Sequence, residues 1–148
     1  MAFSFALRRH SCLKRDAKRI PLAWKPAVPQ RPRVIIADDH PDVLKVLMWI
    51  LDPHCEVVAT AADGEALLQQ VRVWMPDIVV TDIAMPHMNG LEACRHLRRL
   101  YPFISVILVT ALPDKDVLAQ GMQLGATAVV HKRNMAVDLP AAVLKPVA

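Results

Sequence analysis

A chain of 148 residues has room for one ordinary domain, and a second of normal size would not fit. The composition, 54% hydrophobic and 22% charged with 12 Pro and 4 Gly, is globular and excludes full-length disorder or a fibrous repeat. The net charge of +4 conceals two parts: residues 1–33 hold nine Lys/Arg against the single acid Asp16, giving +8, and residues 34–148 hold nine against thirteen acids, giving −4.

The first part, residues 1–32, is basic and carries Pro21, Pro26, Pro29 and Pro32 within a dozen positions. Proline removes amide donors and favours extended backbone, so this stretch reads as a disordered extension and linker. It lacks the apolar core and small-residue cleavage site of a secretory signal. Its charge makes nucleic acid a partner to consider, but no zinc-finger spacing, helix-turn-helix or aromatic stacking motif supports one. Cys12, Cys55 and Cys94 are widely spaced and form no C-x-x-C, which argues against disulfides or a cysteine zinc site and for a cytoplasmic location. No apolar run approaches the roughly 18–20 residues of a membrane span.

From residue 33 onward short apolar runs alternate with helical patterns. Strands are expected at Val34–Ala37, Val57–Ala59, Ile78–Val80, Ser105–Val109 and Ala128–Val130. Helices are expected at Pro41–Leu51, Gly64–Val73, Leu91–Leu100 and Asp114–Leu124, with a weaker one at Leu139–Lys145 interrupted by Pro140. Pro41, Asp63 and Asn89 mark helix starts. Five strands alternating with five helices imply right-handed βαβ units and a parallel sheet covered on both faces. Met48, Trp49 and Leu51 read as core or helix-edge packing, and Cys94 as a small core residue.

Ligands of such α/β sheets collect at the carboxyl ends of the strands. There the first strand delivers Asp38-Asp39, the third Asp82, the fourth Thr110 and the fifth Lys132. Three carboxylates packed together repel, at about 4 kcal/mol per pair for ~4 Å and an effective dielectric near 20. A divalent cation removes that repulsion, and an oxygen-only ligand set favours Mg²⁺, or Mn²⁺, over zinc. A carboxylate beside such a metal can attack phosphorus, while a hydroxyl and a lysine hold the transferred oxygens.

The stretches ADDHP (37–41), DIVVTDIAMPHMNGLEA (77–93), VILVTAL (106–112) and GATAVVHK (125–132) resemble the receiver domain of two-component response regulators. The resemblance covers roughly residues 33–140, with four motifs in the family's order. It implies a flavodoxin-like doubly wound five-stranded sheet of order 2-1-3-4-5. It also implies Asp82 as phosphoacceptor; Asp38, Asp39, Asp82 and the backbone carbonyl of Ala84 around Mg²⁺; and Thr110 and Lys132 on the phosphoryl group. The donor would be a sensor histidine kinase or phosphotransfer protein, and the chain would be no enzyme beyond its own phosphorylation and dephosphorylation. Residues 33–148 would form the domain, stand-alone because only 16 residues follow Lys132. Residues 114–145 would switch contacts with a downstream protein target, or between two copies, through Val117, Leu118 and Met122.

Two positions depart from the family pattern: Val129 stands where many receivers carry an aromatic residue, and Arg133 where many carry proline. A phosphatase of the haloacid dehalogenase type shares the aspartyl nucleophile, metal and lysine, but its D-x-D motif belongs on the first strand, where this chain has adjacent Asp38-Asp39. His40 has two readings, a contact with the acidic pair or a solvated loop residue beside it; His87 and Met88 read as loop filling, and His96 as part of an exposed basic face with Arg95, Arg98 and Arg99.

Overall fold

The computed structural model of the chain describes residues 31–111 and 114–144. The expectations for residues 1–30, and those for Leu112 and Lys145, lie outside the described residues. Five strands, β1 (Arg33–Ala37), β2 (Glu56–Ala61), β3 (Ile78–Asp82), β4 (Ser105–Thr110) and β5 (Ala128–His131), form one parallel sheet of order β2-β1-β3-β4-β5. Helices α1 (Pro41–Leu51), α2 (Gly64–Trp74), α3 (Gly90–Leu100), α4 (Lys115–Gln123) and α5 (Met135–Val143) connect or follow them. Strand order reverses between β1 and β3, so the chain ends after these two strands stand side by side at the switch point.

Alternation along the strands builds two cores. Val34 and Ile36 of β1 point with Val80 and Val109 toward Leu47 and Leu51 of α1 and Leu139 and Val143 of α5. Ile35 and Ala37 point the other way, with Val79, Val106 and Leu108, toward Leu67 and Val71 of α2 and Leu97 of α3. Every residue of β3 and β4 is buried, which is why these strands read as unbroken apolar runs, whereas edge strand β2 is only partly covered. Truncating Leu51, which is fully buried between α1 and the sheet, should cost about 2–5 kcal/mol. Urea unfolding of Leu51→Ala checks this as a fall in midpoint at unchanged slope.

Local chemistry sets the helix starts. Asp63 accepts the Ala66 amide at 2.7 Å, Asn89 the Glu92 amide at 2.9 Å and Asp114 the Asp116 amide at 2.9 Å, while Pro41 opens α1 without a side-chain cap. Three expectations need correction. The last helix begins at Met135, not Leu139, and ends at Val143. It grows out of a 3₁₀ turn, Lys132–Asn134, and carries Pro140 inside it; the burial of Leu139 and Val143 against the sheet outweighs the hydrogen bond that proline cannot donate. Trp49 is not packed in the core but 79% exposed on α1, with Met48 also exposed. Asp114 is the cap before α4 and not part of its first turn. Cys55 and Cys94 are free and buried. Burial pushes the Cys55 thiol up to about 11 against the opposing charge of Arg31, and raises that of Cys94 against Arg98, so both are inert small core residues.

Candidate functional site

Sheet register carries the sequence-distant acids to one place. Ala37 pairs with Thr81, so Asp38 and Asp82, the next residue on each chain, lie side by side where β1 and β3 end. The Asp38 amide continues the ladder by donating to Ala61 at 3.0 Å. Asp82 in turn pairs with Val109, and Thr110 with His131, which places the buried Thr110 and the residue before Lys132 on the same rim. Asp38 is fully buried, Asp82 nearly so, and Asp39 partly exposed.

Lys132 joins the strands electrostatically. Its Nζ lies 3.1 Å from Asp38 Oδ2 and 3.3 Å from Asp82 Oδ2, with the lysine side chain itself largely covered. Burial raises the Asp82 carboxyl above the usual range, the neighbouring Asp38 charge raises it further, and Lys132 only partly opposes them. For Lys132, burial works against the charge, but pairing with Asp38 and the charges of Asp82 and Asp38 outweigh it and hold the ammonium above its ordinary value. The lysine is therefore a fixed point charge at neutral pH, poised between two carboxylates that do not tolerate each other.

Two buried oxygens, Asp38 Oδ2 and Asp39 Oδ1, lack an aligned hydrogen-bond donor; Lys132 meets the first, and the His40 ring the second, at ion-pair distance only. Buried acceptors left in this way are destabilising unless a cation satisfies them. The oxygen donors at this rim match the preference of a small hard divalent ion. Ala84, whose carbonyl was expected to take part, lies exposed in the loop two residues beyond Asp82.

A family model for the response regulator receiver domain matches residues 34–144, three quarters of the chain, with all of this sheet but Arg33 and the whole of its rim. The chain belongs to that family. Among solved structures, the receiver domain of the putative response regulator NarL from Mycobacterium tuberculosis superposes with a TM-score of 0.73 at 29% identity, covering 78% of this chain and 95% of that one. A CheX–CheY–BeF₃–Mg²⁺ complex from Borrelia burgdorferi superposes with a TM-score of 0.72 at 26% identity, covering 76% and 86%. A curated relative, the protein-glutamate methylesterase/protein-glutamine glutaminase of Pyrococcus horikoshii, is 32% identical over 118 residues, which are 77% of this chain. The receiver spans about a third of that relative's length.

Two residues beside the receiver's site, His40 and Gly90, were not among its expected members. His40 is exposed, as expected of a loop histidine, yet its Nδ1 lies 3.3 Å from Asp38 Oδ1 and 3.0 Å from Asp39 Oδ1. Its place directly after the two acids was the available signal. Gly90 opens α3 directly beneath the site: its amide donates to Ile83 at 2.8 Å, and a Cβ there would stand 2.1 Å from the Asp82 carbonyl oxygen. His87 is exposed in the loop with φ of 66°, while Met88 packs into the core, so the latter fills the loop as expected. His96 is exposed on α3 among Arg95 and Arg99. Arg98 does not join that solvated face, because its guanidinium is turned onto the carbonyls of Pro102 and Ile104.

Proposed function

We propose that this receiver takes a phosphoryl group onto Asp82 from the phosphohistidine of a sensor histidine kinase or phosphotransfer protein. The observation that carries the reading is Lys132 Nζ within 3.3 Å of both Asp82 and Asp38 at the switch point of the sheet. In the transfer an Asp82 carboxylate oxygen forms a bond to phosphorus as the phosphorus–nitrogen bond breaks, and the electron pair leaves with the donor imidazole. Water later attacks phosphorus and returns the carboxylate and inorganic phosphate. Lys132 would stay with the phosphoryl oxygens throughout, and Thr110, one residue past the β4 partner of Asp82, would offer its hydroxyl. Asp38, Asp39, Asp82 and the Ala84 carbonyl would hold Mg²⁺, for which Mn²⁺ can substitute. Bound there, the metal would neutralise charge as the nucleophile and the phosphoryl group approach.

On this reading the chain is a cytoplasmic switch and not an enzyme with turnover on other substrates. Residues 33–148 form the switching domain and 1–32 a basic extension. Phosphorylation alters the surface of residues 114–145 toward a downstream target or a second copy. Leu118 and Met122, exposed on α4, and half-buried Val117 supply apolar area for that contact. Val129, at the position where many receivers carry an aromatic residue, is half-buried against the same core as Leu108.

Incubation with acetyl phosphate and Mg²⁺ tests the reading. Intact-mass spectra should show one acid-labile phosphoryl per chain, and borohydride reduction should map it to the peptide containing Asp82. Removing the metal with EDTA should slow labelling by about 100-fold. Label on another residue, or labelling indifferent to EDTA, would reject the proposal.

A further inference from the structure

The rim holds one donor that an oxygen-only metal site does not require. His40 is the residue before α1, and its backbone amide donates to Asp38 Oδ1 at 2.9 Å, which holds the ring over the acidic pair. Its Nδ1 stands 3.0 Å from Asp39 Oδ1 and 3.3 Å from Asp38 Oδ1. In an octahedral shell with bonds of about 2.1 Å, neighbouring ligand atoms stand about 3.0 Å apart. One ligand atom each from Asp38, Asp39 and His40 falls within 4.8 Å of the other two, close enough to share an ion. Asp39 Oδ1 and Asp38 Oδ2 are buried without an aligned hydrogen-bond donor, the first facing His40 Nδ1 at 3.0 Å and the second Lys132 Nζ at 3.1 Å, so both carry charge that a divalent ion would neutralise further.

We infer that His40 is a ligand of the ion at this rim and gives the site a preference for first-row transition metals over Mg²⁺. The inference rests on the metal reading above and sharpens it. An imidazole nitrogen is a softer donor than carboxylate or water, and it strengthens binding along the series from Mn²⁺ toward Cu²⁺ while doing little for Mg²⁺. The ring is 68% exposed at its side chain, so it can turn onto the ion without disturbing the core. A receiver built in this way would be loaded by whichever ion the compartment supplies, with Mn²⁺ competing at concentrations well below Mg²⁺.

The test uses the full chain with Mn²⁺ as both ligand and probe. Mn²⁺ is titrated alone and against Mg²⁺, and the loaded protein is examined by pulsed EPR for coupling to a nitrogen nucleus. Wild-type protein should show nitrogen coupling. His40→Ala should lose it, and its preference for Mn²⁺ over Mg²⁺ should fall about tenfold. Histidine labelled with ¹⁵N should change the coupling to that of the heavier isotope. Bound Mn²⁺ without nitrogen coupling, coupling that survives His40→Ala, or an unchanged preference would each overturn the role of His40 and leave the carboxylate site standing. If neither ion binds, or if Asp39→Asn binds both as tightly as wild type, the carboxylate site itself fails and this inference fails with it.

Discussion

Asp82→Asn should reduce phosphoryl incorporation from acetyl phosphate to background, a loss of more than about a thousandfold, while making the metal-free protein more stable. The loss follows from the amide's having no anionic oxygen to attack phosphorus. The gain follows from the position of the carboxylate. Burial and the adjacent Asp38 raise the Asp82 carboxyl above the ordinary 3.8, and Lys132 compensates only in part. A raised carboxyl means that the folded state holds its proton more tightly than the unfolded chain does. Ionisation thus removes stability as pH rises from about 3.8 through the higher folded value, and above that the full penalty persists. Asn escapes it and leaves Lys132 to Asp38 alone, 3.1 Å away.

In thermal melts without divalent ions, Asp82→Asn should exceed wild type at pH 7 by on the order of 1 kcal/mol, or roughly 4 °C for a domain of this size. The difference should vanish toward pH 3, where both side chains are neutral. Added Mg²⁺ should close the gap at pH 7 by stabilising wild type preferentially. A variant less stable than wild type at neutral pH, with the gap closing in acid, would show that the pairing of Asp82 with Lys132 dominates its burial.

Gly90→Ala should be among the most damaging single changes on the domain although it alters one methyl group. The added Cβ would meet the Asp82 carbonyl oxygen at 2.1 Å and the Ile83 Cα at 2.9 Å. Those are backbone atoms of the strand end that presents Asp82, and they cannot rotate aside as a side chain would. Either α3 shifts outward, opening the core around Ala93, Cys94 and Leu97, or the end of β3 is displaced and Asp82 moves away from Lys132. Such forced repacking costs typically 1–3 kcal/mol, and about 3 is expected here because both contacts are backbone. Urea unfolding measures the loss. A Lys132-dependent rate of labelling that falls as well would show the strand end moving. Gly90→Ala with wild-type stability and labelling would mean that α3 can slide without consequence.

Much of this molecule is legible along the chain. Runs such as RVIIA and SVILV announce buried strands because a parallel sheet covered on both faces leaves no polar alternation. Asp63 and Asn89 mark helix starts because a short side chain accepting a free amide is a purely local arrangement. Local rules misplaced the last helix, since Pro140 breaks a helix by propensity and yet the burial of Leu139 and Val143 keeps one. They also misplaced Trp49, since an apolar residue on α1 can face solvent as readily as core until the helix is docked.

The identity and order of the rim residues, two acids, a third acid, a hydroxyl and a lysine, were set by sequence alone, because each closes a strand and the strands run parallel. Which of them touch was decided by the folded sheet. Register laid Asp38 against Asp82, strand order brought Lys132 within reach of both, and close packing of α3 on β3 made Gly90 a structural part of the site. The turn into α1 placed His40 over the acids. Periodicity records which side of an element a residue occupies, whereas distances between elements arise only when side chains of different strands and helices compete for the same space.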